Sequence, residues 1–178
     1  EAAQALFRQA LALTPRSDPA HVNLALAYEK TGNWPEAHQR LDQAIELNKS
    51  NAVAWNNKGN LLNKSAAYTE ALRCFDQAIA ANPGYAESLT NRASTLLKLG
   101  QVDDALTAFQ SAFSAAIQSN PSQVQVHHGM GLIYKQKKQV ELAQRCFEKV
   151  LTCDPNHADA HFNLGMIHHD RKDYTLAL

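Results

Sequence analysis

A repeat of about 34 residues runs through this chain and constrains its fold more than any other feature. Pro15 and Pro83 are two periods apart. Pro121 follows Pro83 after one period plus four residues, and Pro155 follows Pro121 after one period. An aromatic or leucine residue recurs once in each unit, before the turn that ends the unit, at Phe7, Leu41, Phe75, Phe109 and Phe147. A unit of this length cannot bury an apolar face alone, so neighbouring units must stack against one another.

Each unit carries two helical patterns of about 13 residues, with apolar residues at i, i+3, i+4 and i+7. Small residues lie four before and three after the aromatic position, as Ala71 and Ala78 do around Phe75. Alanine, which costs least to order in a helix, supplies 29 of the 178 residues, whereas there are only 7 glycines and 6 prolines. The sequence therefore predicts an all-helical protein.

The charge balance excludes some classes of partner. The chain has 17 Lys and Arg against 17 Asp and Glu, a formal net charge of zero. Nucleic-acid binding and attachment to an acidic membrane surface both need an excess of basic residues. No apolar run approaches the roughly 18 residues of a membrane span. We expect no nucleic acid and no membrane insertion.

The three cysteines (Cys74, Cys146 and Cys153) are odd in number and lack any metal-binding spacing. This pattern indicates reduced thiols in a reducing compartment, and we therefore expect a cytoplasmic location. The opening segment EAAQALFRQALAL already has the pattern of a helix interior. We therefore expect the chain to be a fragment of a longer protein.

Three segments, WNNKGNLL, HHGMGLIY and HFNLGMIH, align on Gly59, Gly131 and Gly165, and Ala25 and Ala93 replace the glycine in two further units. With the alanine–aromatic spacing and the closing proline, the pattern resembles the tetratricopeptide repeat. The resemblance implies an all-α, right-handed α-solenoid of stacked antiparallel helix pairs. We expect a single solenoid over 1–178, divided into a half repeat 1–17, full repeats 18–51, 52–85, 86–123 and 124–157, and a truncated repeat 158–178.

Repeat 86–123 has four extra residues, and its segment AFQSAFSAAIQSNP allows two registers. Phe109 with Ala112 and Phe113 with Ala116 both satisfy the aromatic–small spacing. Four residues are close to one helical turn, which favours a second helix lengthened by one turn. The alternative is a longer loop at SNPSQ.

Catalysis has little support in the sequence, and we expect neither an enzyme nor a cofactor. The chain has no phosphate-binding glycine loop, no GxSxG, no HExxH and no CxxC. His157 and His161 are four residues apart, but two histidines do not by themselves complete a tetrahedral metal site. No metal site is expected, and His128 is expected on an exposed face.

By the family resemblance, the first helix of each repeat lines a concave groove through positions 2, 5, 6, 9, 12 and 13. Asparagine recurs at position 6, interrupted by Gly129, and lysine recurs at position 13. Asparagine is only a middling helix former, so its recurrence needs a reason. The candidate groove residues are Asn23, Asn57, Asn60, Asn91, Asn163, Lys30, Lys64 and Lys98.

A series of carboxamides can pair with successive N–H and C=O groups of an extended chain without contacting its side chains. The pattern resembles the asparagines that hold peptide backbone in the tetratricopeptide arm of O-linked N-acetylglucosamine transferases. The alternative is that the asparagines are repeat consensus with no binding role. A clamp for acidic C-terminal tails is not expected, because Asn56, Gln125 and Gly129 stand where it needs basic residues.

The favoured function is a protein-interaction scaffold that binds a protein or an extended peptide in its groove. The alternative is the substrate-recognition arm of a larger enzyme, such as a glycosyltransferase, whose catalytic domain lies outside this chain. Apolar faces at the two ends also predict end-to-end self-association.

Overall fold

The structure, a computed structural model, describes residues 2–115 and 120–170. These residues form helices and no strand, which confirms the predicted all-α fold of repeated helix pairs. The ten helices are α1 (Ala2–Leu13), α2 (Asp18–Lys30), α3 (Trp34–Leu47), α4 (Ala52–Lys64), α5 (Tyr68–Ala81), α6 (Ala86–Lys98), α7 (Val102–Ala115), α8 (Asn120–Gln136), α9 (Val140–Cys153) and α10 (Ala158–Asp170).

Side chains at the same position of the repeat cap the N-termini of α2 and α4. The Ser17 hydroxyl accepts a hydrogen bond from the Ala20 N–H at 3.4 Å, and Asn51 Oδ1 accepts one from the Ala54 N–H at 2.9 Å. Such a cap satisfies a backbone donor that has no partner within the helix. The second helices α3, α5 and α9 begin without a side-chain cap.

Short turns join the first and second helices of each pair. Each turn contains one residue with positive φ, at +74° in Gly32, +59° in Ala66, +76° in Gly100 and +59° in Lys138. A left-handed residue ends a helix and reverses the chain within a short turn. The short turns make α2 and α3, α4 and α5, and α8 and α9 antiparallel neighbours.

The chain separates into two compact units, 1–95 and 96–178, and the division falls within α6. In unit 1, Leu24 and Tyr28 of α2 pack with Leu41 of α3 and Leu61 of α4, and Phe7 of α1 adds to this cluster. A second cluster joins α2, α3 and α4 through Val22, Ala44, Ile45 and Ala54. The helix pair α2 and α3 thus buries its apolar residues against α4 of the next repeat.

In unit 2, Phe147 and Val150 of α9 form the core with Ala160 and Ile167 of α10. Phe109 is 1% exposed, whereas Phe113 is 40% exposed. Of the two registers that the sequence allows for the second helix of repeat 86–123, the structure therefore has the one in which Phe109 packs inward.

The four extra residues of this repeat are only partly accounted for. The first helix α8 has 17 residues, four more than α2, α4, α6 or α10. It begins at Asn120, four residues before the predicted repeat boundary at Val124. The described part of α7 has 14 residues, as do α3, α5 and α9. The predicted extra turn of α7 falls on residues 116–119, outside the described residues.

A glycine lets the two helices of a repeat approach closely in each unit. A Cβ on Gly59 would lie 2.5 Å from the Phe75 ring, and one on Gly131 would lie 2.7 Å from the Phe147 ring. Real Cβ atoms do not approach a ring this closely, so these sites exclude any side chain. The helix expected to pack on Gly165 falls within 171–178, outside the described residues.

Replacing Gly59 or Gly131 by Leu should destabilise the fold, because the new side chain must displace a buried phenylalanine. We expect Gly131→Leu to cost roughly 1–3 kcal/mol or more. For a chain of this size, each kcal/mol lowers Tm by about 2–4 °C. Thermal unfolding followed by circular dichroism measures the effect.

Gly84→Leu is the matched control, since a Cβ there would meet only Asn82 Oδ1 at 3.7 Å. A Gly131→Leu protein that unfolds at the same temperature as this control and the parent chain would contradict the assigned helix contact.

Candidate peptide-binding face

The first helices of unit 1 lie side by side and parallel. The C-terminal ends of α2 and α4 are joined by the ion pair of Glu29 with Lys64. The N-terminal ends of α4 and α6 are joined by Asn56 and Glu87, whose Nδ2 and Oε1 are 2.9 Å apart. We call the surface formed by α2, α4 and residues 86–95 of α6 the first-helix face. It carries the candidate residues Asn23, Lys30, Asn57, Asn60, Lys64 and Asn91.

Beneath this face, α4 and α6 meet through a polar seam made by Asn56, Asn63, Ser88, Asn91 and Thr95. Asn56 is fully buried, and its Oδ1 accepts from the Ser88 hydroxyl at 2.9 Å and from Asn91 Nδ2 at 3.1 Å. Asn63 Nδ2 donates to the Thr95 hydroxyl at 2.8 Å, which in turn donates to the Asn91 carbonyl at 2.7 Å. The contact between α4 and α6 therefore includes hydrogen bonds among buried and half-buried side chains.

Glu87 lies at the edge of the seam, where α6 begins. Its Oε1 accepts from Asn56, and its Oε2 accepts from the Tyr85 hydroxyl at 3.4 Å. Burial, with a further contribution from Glu87, raises the pKa of Tyr85 to about 12. The phenol therefore stays protonated over the physiological range and remains a donor to the Glu87 carboxylate.

The predicted asparagines of unit 1 are not equivalent. Asn23 is exposed and Asn57 and Asn60 are half-buried, and none of the three side chains has a hydrogen-bond partner among the described residues. Asn91 is half-buried, and its Nδ2 is used by Asn56. Three amides are thus available to a ligand, and Asn91 retains its Oδ1.

The lysines also differ in their surroundings. Lys64 forms an ion pair with Glu29, and its ammonium lies 5.6 Å from the centre of the Trp34 ring. Lys30 is exposed and has no ion-pair partner among the described residues. Lys98 is exposed at the end of α6, in unit 2. Within unit 1, Lys30 is the lysine of this face that can meet an incoming anion without breaking an existing pair.

A cleft of about 350 Å³ adjoins Asn23 and Lys30 in unit 1. Its other walls are Ala3, Gln4 and Phe7 of α1, Leu26 and Ala27 of α2, and Thr31. The lining is mainly apolar, with the amide of Asn23 and the ammonium of Lys30 at its margin. The cleft can accept an apolar side chain beside a polar or acidic group.

In unit 2, the structure departs from the predicted series of exposed groove residues. Asn163 is only 7% exposed: its Oδ1 accepts from Lys135 Nζ at 2.7 Å, and its Nδ2 donates to the Asp159 carbonyl at 2.8 Å. A Cβ on Gly129 would overlap the Phe109 ring, so this glycine is required for packing. The expectation that Asn163 is exposed in the groove is therefore wrong, and Gly129, which interrupts the asparagine series, is required by the fold.

The expectation of an exposed His128 is also wrong. Its ring is half-buried, with its centre 6.0 Å from that of Phe147 and 5.0 Å from that of His157. His157 Nδ1 accepts from the Ala160 N–H at 3.3 Å and so caps α10. Burial lowers the pKa of His128, His157 lowers it further, and Asp159 raises it in part.

Two properties of residues 2–115 and 120–170 bear on other kinds of site. Neither stretch contains a group of three or more His, Cys, Asp or Glu side chains placed to hold a metal ion. No helix in the same ranges has both the length and the apolar character needed to cross a bilayer. Cys74, Cys146 and Cys153 are free thiols, and burial raises the pKa of Cys74 and Cys146.

Helix pairs that recur about every 34 residues define the class: a helical repeat protein. Four sequence profiles, all described as tetratricopeptide repeat, match residues 1–61, 52–85, 84–156 and 146–178 and together extend over the whole chain. The chain belongs to the tetratricopeptide repeat family. No protein of curated function matches it in sequence.

Several solved structures resemble the chain. YrrB, described as a TPR protein with an unusual peptide-binding site, is 25% identical, with a TM-score of 0.72 over 97% of this chain and 87% of that one. PilF of Pseudomonas aeruginosa is 22% identical, with a TM-score of 0.82 over 90% of this chain and 71% of that one. A chain of the Cut9–Hcn1 hetero-tetramer of the APC/C is 16% identical, with a TM-score of 0.85 over 98% of this chain and 34% of that one. The last two likenesses concern the fold alone.

The lowered pKa of His128 predicts that stability falls in acid. In the unfolded chain the imidazole takes up a proton near its ordinary pKa of 6.5, whereas the folded chain keeps it neutral to a lower pH. The stabilising contribution is present above about pH 6.5 and is lost as the pH falls toward the folded pKa. We expect the fall in Tm between pH 7.5 and 5.5 to be smaller in His128→Gln than in the parent chain.

Comparing the two pH values within each protein cancels any packing cost of the substitution. Equal falls in both proteins would show that His128 does not carry this dependence.

Proposed function

We propose that this protein is a non-catalytic scaffold that binds an extended peptide, or an extended segment of a protein, on the first-helix face of unit 1. The observation that carries the proposal is the group of three unpaired amides, Asn23, Asn57 and Asn60, on parallel neighbouring helices. A carboxamide offers two donors and one acceptor, which matches the alternating acceptors and donors of an extended backbone.

The seam beneath the face supports this function by holding α4 and α6 in register. Asn56 is buried with a donor and an acceptor both satisfied, so Asn57 and Asn60 lie on a helix that these hydrogen bonds hold in place. A ligand then loses little free energy in ordering the site, which is the advantage of preorganisation. Asn91 Oδ1 and Lys30 are further proposed contacts on the same face.

The other predicted residues receive different proposed roles. Lys64 would contact a ligand only by sharing or leaving its ion pair with Glu29. Lys98 remains a proposed contact near the end of α6. Asn163 is proposed to orient Lys135 and to fix the beginning of α10, since both ends of its amide are already used.

The likeness to YrrB, which is described as having a peptide-binding site, supports peptide recognition at the level of function class. In the alternative function, the chain is the substrate-recognition arm of a larger enzyme, such as a glycosyltransferase. The substrate would then bind on the same face. We also propose a cytoplasmic location, which the three free thiols support.

A second proposal concerns self-association. Leu6 and Leu13 on α1 are 65% and 85% exposed, and Phe162 and Met166 on α10 are 68% and 38% exposed. Exposed apolar side chains that share one face of a helix, as residues four or seven apart do, form patches of the kind that mark interaction sites. We propose that α1 of one copy packs against α10 of another, which would extend the stack of repeats.

The peptide-binding proposal predicts that Asn57→Ala/Asn60→Ala weakens binding without weakening the fold. Random peptides of about 12 residues, long enough to cross the face when extended, would be selected by display on the immobilised chain and titrated by fluorescence anisotropy. Loss of buried amide hydrogen bonds should cost about 1–3 kcal/mol for each residue, so the double variant should bind at least tenfold more weakly. Its Tm should be unchanged or slightly higher, because Ala is the better helix former.

Gln77→Ala provides the matched control, since it removes an exposed amide from α5, outside the first-helix face. It should bind as the parent chain does. Selection of no peptide, or equal affinity of the double variant and the control, would refute the proposed site.

The self-association proposal predicts concentration-dependent growth of the particle in sedimentation velocity. Phe162→Glu places a charge on the α10 face and should shift the chain toward monomer, as should Leu6→Glu on α1. A strict monomer at high concentration would count against this contact.

A further inference from the structure

Two opposite charges on the first-helix face of unit 1 are not neutralised by ion pairs. The charged residues at the groove positions of α2, α4 and residues 86–95 are Glu29, Lys30, Lys64 and Glu87. Glu29 and Lys64 form an ion pair with each other. Lys30 and Glu87 have no ion-pair partner among the described residues. A ligand on this face therefore meets one cation and one anion.

The Glu87 carboxylate is preorganised for a cation. Asn56 donates to its Oε1 at 2.9 Å and Tyr85 donates to its Oε2 at 3.4 Å, while the side chain stays exposed. Neutral donors fix the position of the carboxylate and leave its charge uncompensated. This arrangement suits a lysine or arginine of a ligand, which can bind the remaining lone pairs of both oxygens.

Lys30 lies beside the apolar cleft of α1 and α2. An acidic group that reaches its ammonium brings the neighbouring ligand residues to the cleft walls formed by Phe7 and Leu26. The cleft therefore favours an apolar side chain adjacent to that acidic group, because burial of both partners removes apolar surface from water.

The two charges lie at diagonally opposite corners of the face. Lys30 is the last residue of α2 and Glu87 is the second residue of α6, with α4 between these two parallel helices. Eleven residues of helical rise give about 16 Å along the axes, and two interaxial spacings give about 16–20 Å across them. The diagonal is about 25 Å, which an extended chain crosses in about seven or eight residues.

Asn57 and Asn60 of α4 lie between these corners, so a chain that joins them passes over unpaired amides. We infer that the ligand is an extended peptide with a basic side chain at one end for Glu87 and, about seven or eight residues away, an acidic side chain for Lys30 with an apolar neighbour in the cleft. The inference rests on the proposed peptide-binding function and specifies the class of ligand. A uniformly acidic tail does not fit, because Glu87 would repel it.

The test uses the same peptides selected on the immobilised chain. We expect enriched peptides to carry a basic and an acidic residue at this separation, with the apolar residue beside the acidic one. Lys30→Glu and Glu87→Lys should each weaken binding of such a peptide by about 5- to 30-fold in low salt and by less in high salt. Reversing the matching charge on the peptide should restore the affinity lost by each variant.

Glu87→Gln keeps an oxygen for the Asn56 donor and removes the charge, so it tests the electrostatic role if Glu87→Lys fails to fold. Lys49→Glu and Glu70→Lys are matched charge reversals at exposed positions outside the first-helix face, and both should bind as the parent chain does.

The outcomes separate this inference from the function on which it rests. If selected peptides lose affinity in Asn57→Ala/Asn60→Ala but not in Lys30→Glu, Glu87→Lys or Glu87→Gln, the face binds peptide and the charge pattern is refuted. Enriched peptides without separated opposite charges would refute it in the same way. If no peptide is selected, both proposals fail.

Discussion

The close contact between a small residue of one helix and a phenylalanine of its partner is the interaction on which the rest of the structure depends. At Gly59 there is no room for even a single carbon beside the Phe75 ring, and the same holds at Gly131 beside Phe147. This contact fixes the spacing within a helix pair. Once the pair is formed, its remaining apolar stripe must be covered by the next repeat, and the first helices are brought side by side.

Much of this arrangement could be predicted from the sequence, because its causes are local or strictly periodic. The alanine–aromatic spacing predicts the helix pairs, and Gly32 and Gly100 are typical of left-handed helix ends. Ala66 and Lys138 adopt the same backbone conformation without the glycine signal. At those turns the flanking helices, held together by packing, impose a geometry that the residue itself disfavours.

The polar residues were harder to predict, because their environment is set by partners far away in sequence. Asn56 is buried by contacts with Glu87 and Ser88, which are 31 and 32 residues further along. Asn163 is satisfied by Lys135, 28 residues before it. Repeat position groups Asn57, Asn91 and Asn163 together, yet only contacts between repeats separate amides available to a ligand from amides used by the fold. Such pairings have no periodic signal in a single sequence.

The polar seam between α4 and α6 also limits how this chain can change by gain or loss of repeats. Removing repeat 86–123 would leave the fully buried Asn56 without the acceptor and donors that Glu87, Ser88 and Asn91 provide. Unpaired buried amides are costly, so a repeat that took the place of this one would have to supply an equivalent acceptor and donors to keep the fold stable. The contact between α4 and α6 is therefore specified by hydrogen bonding as well as by shape.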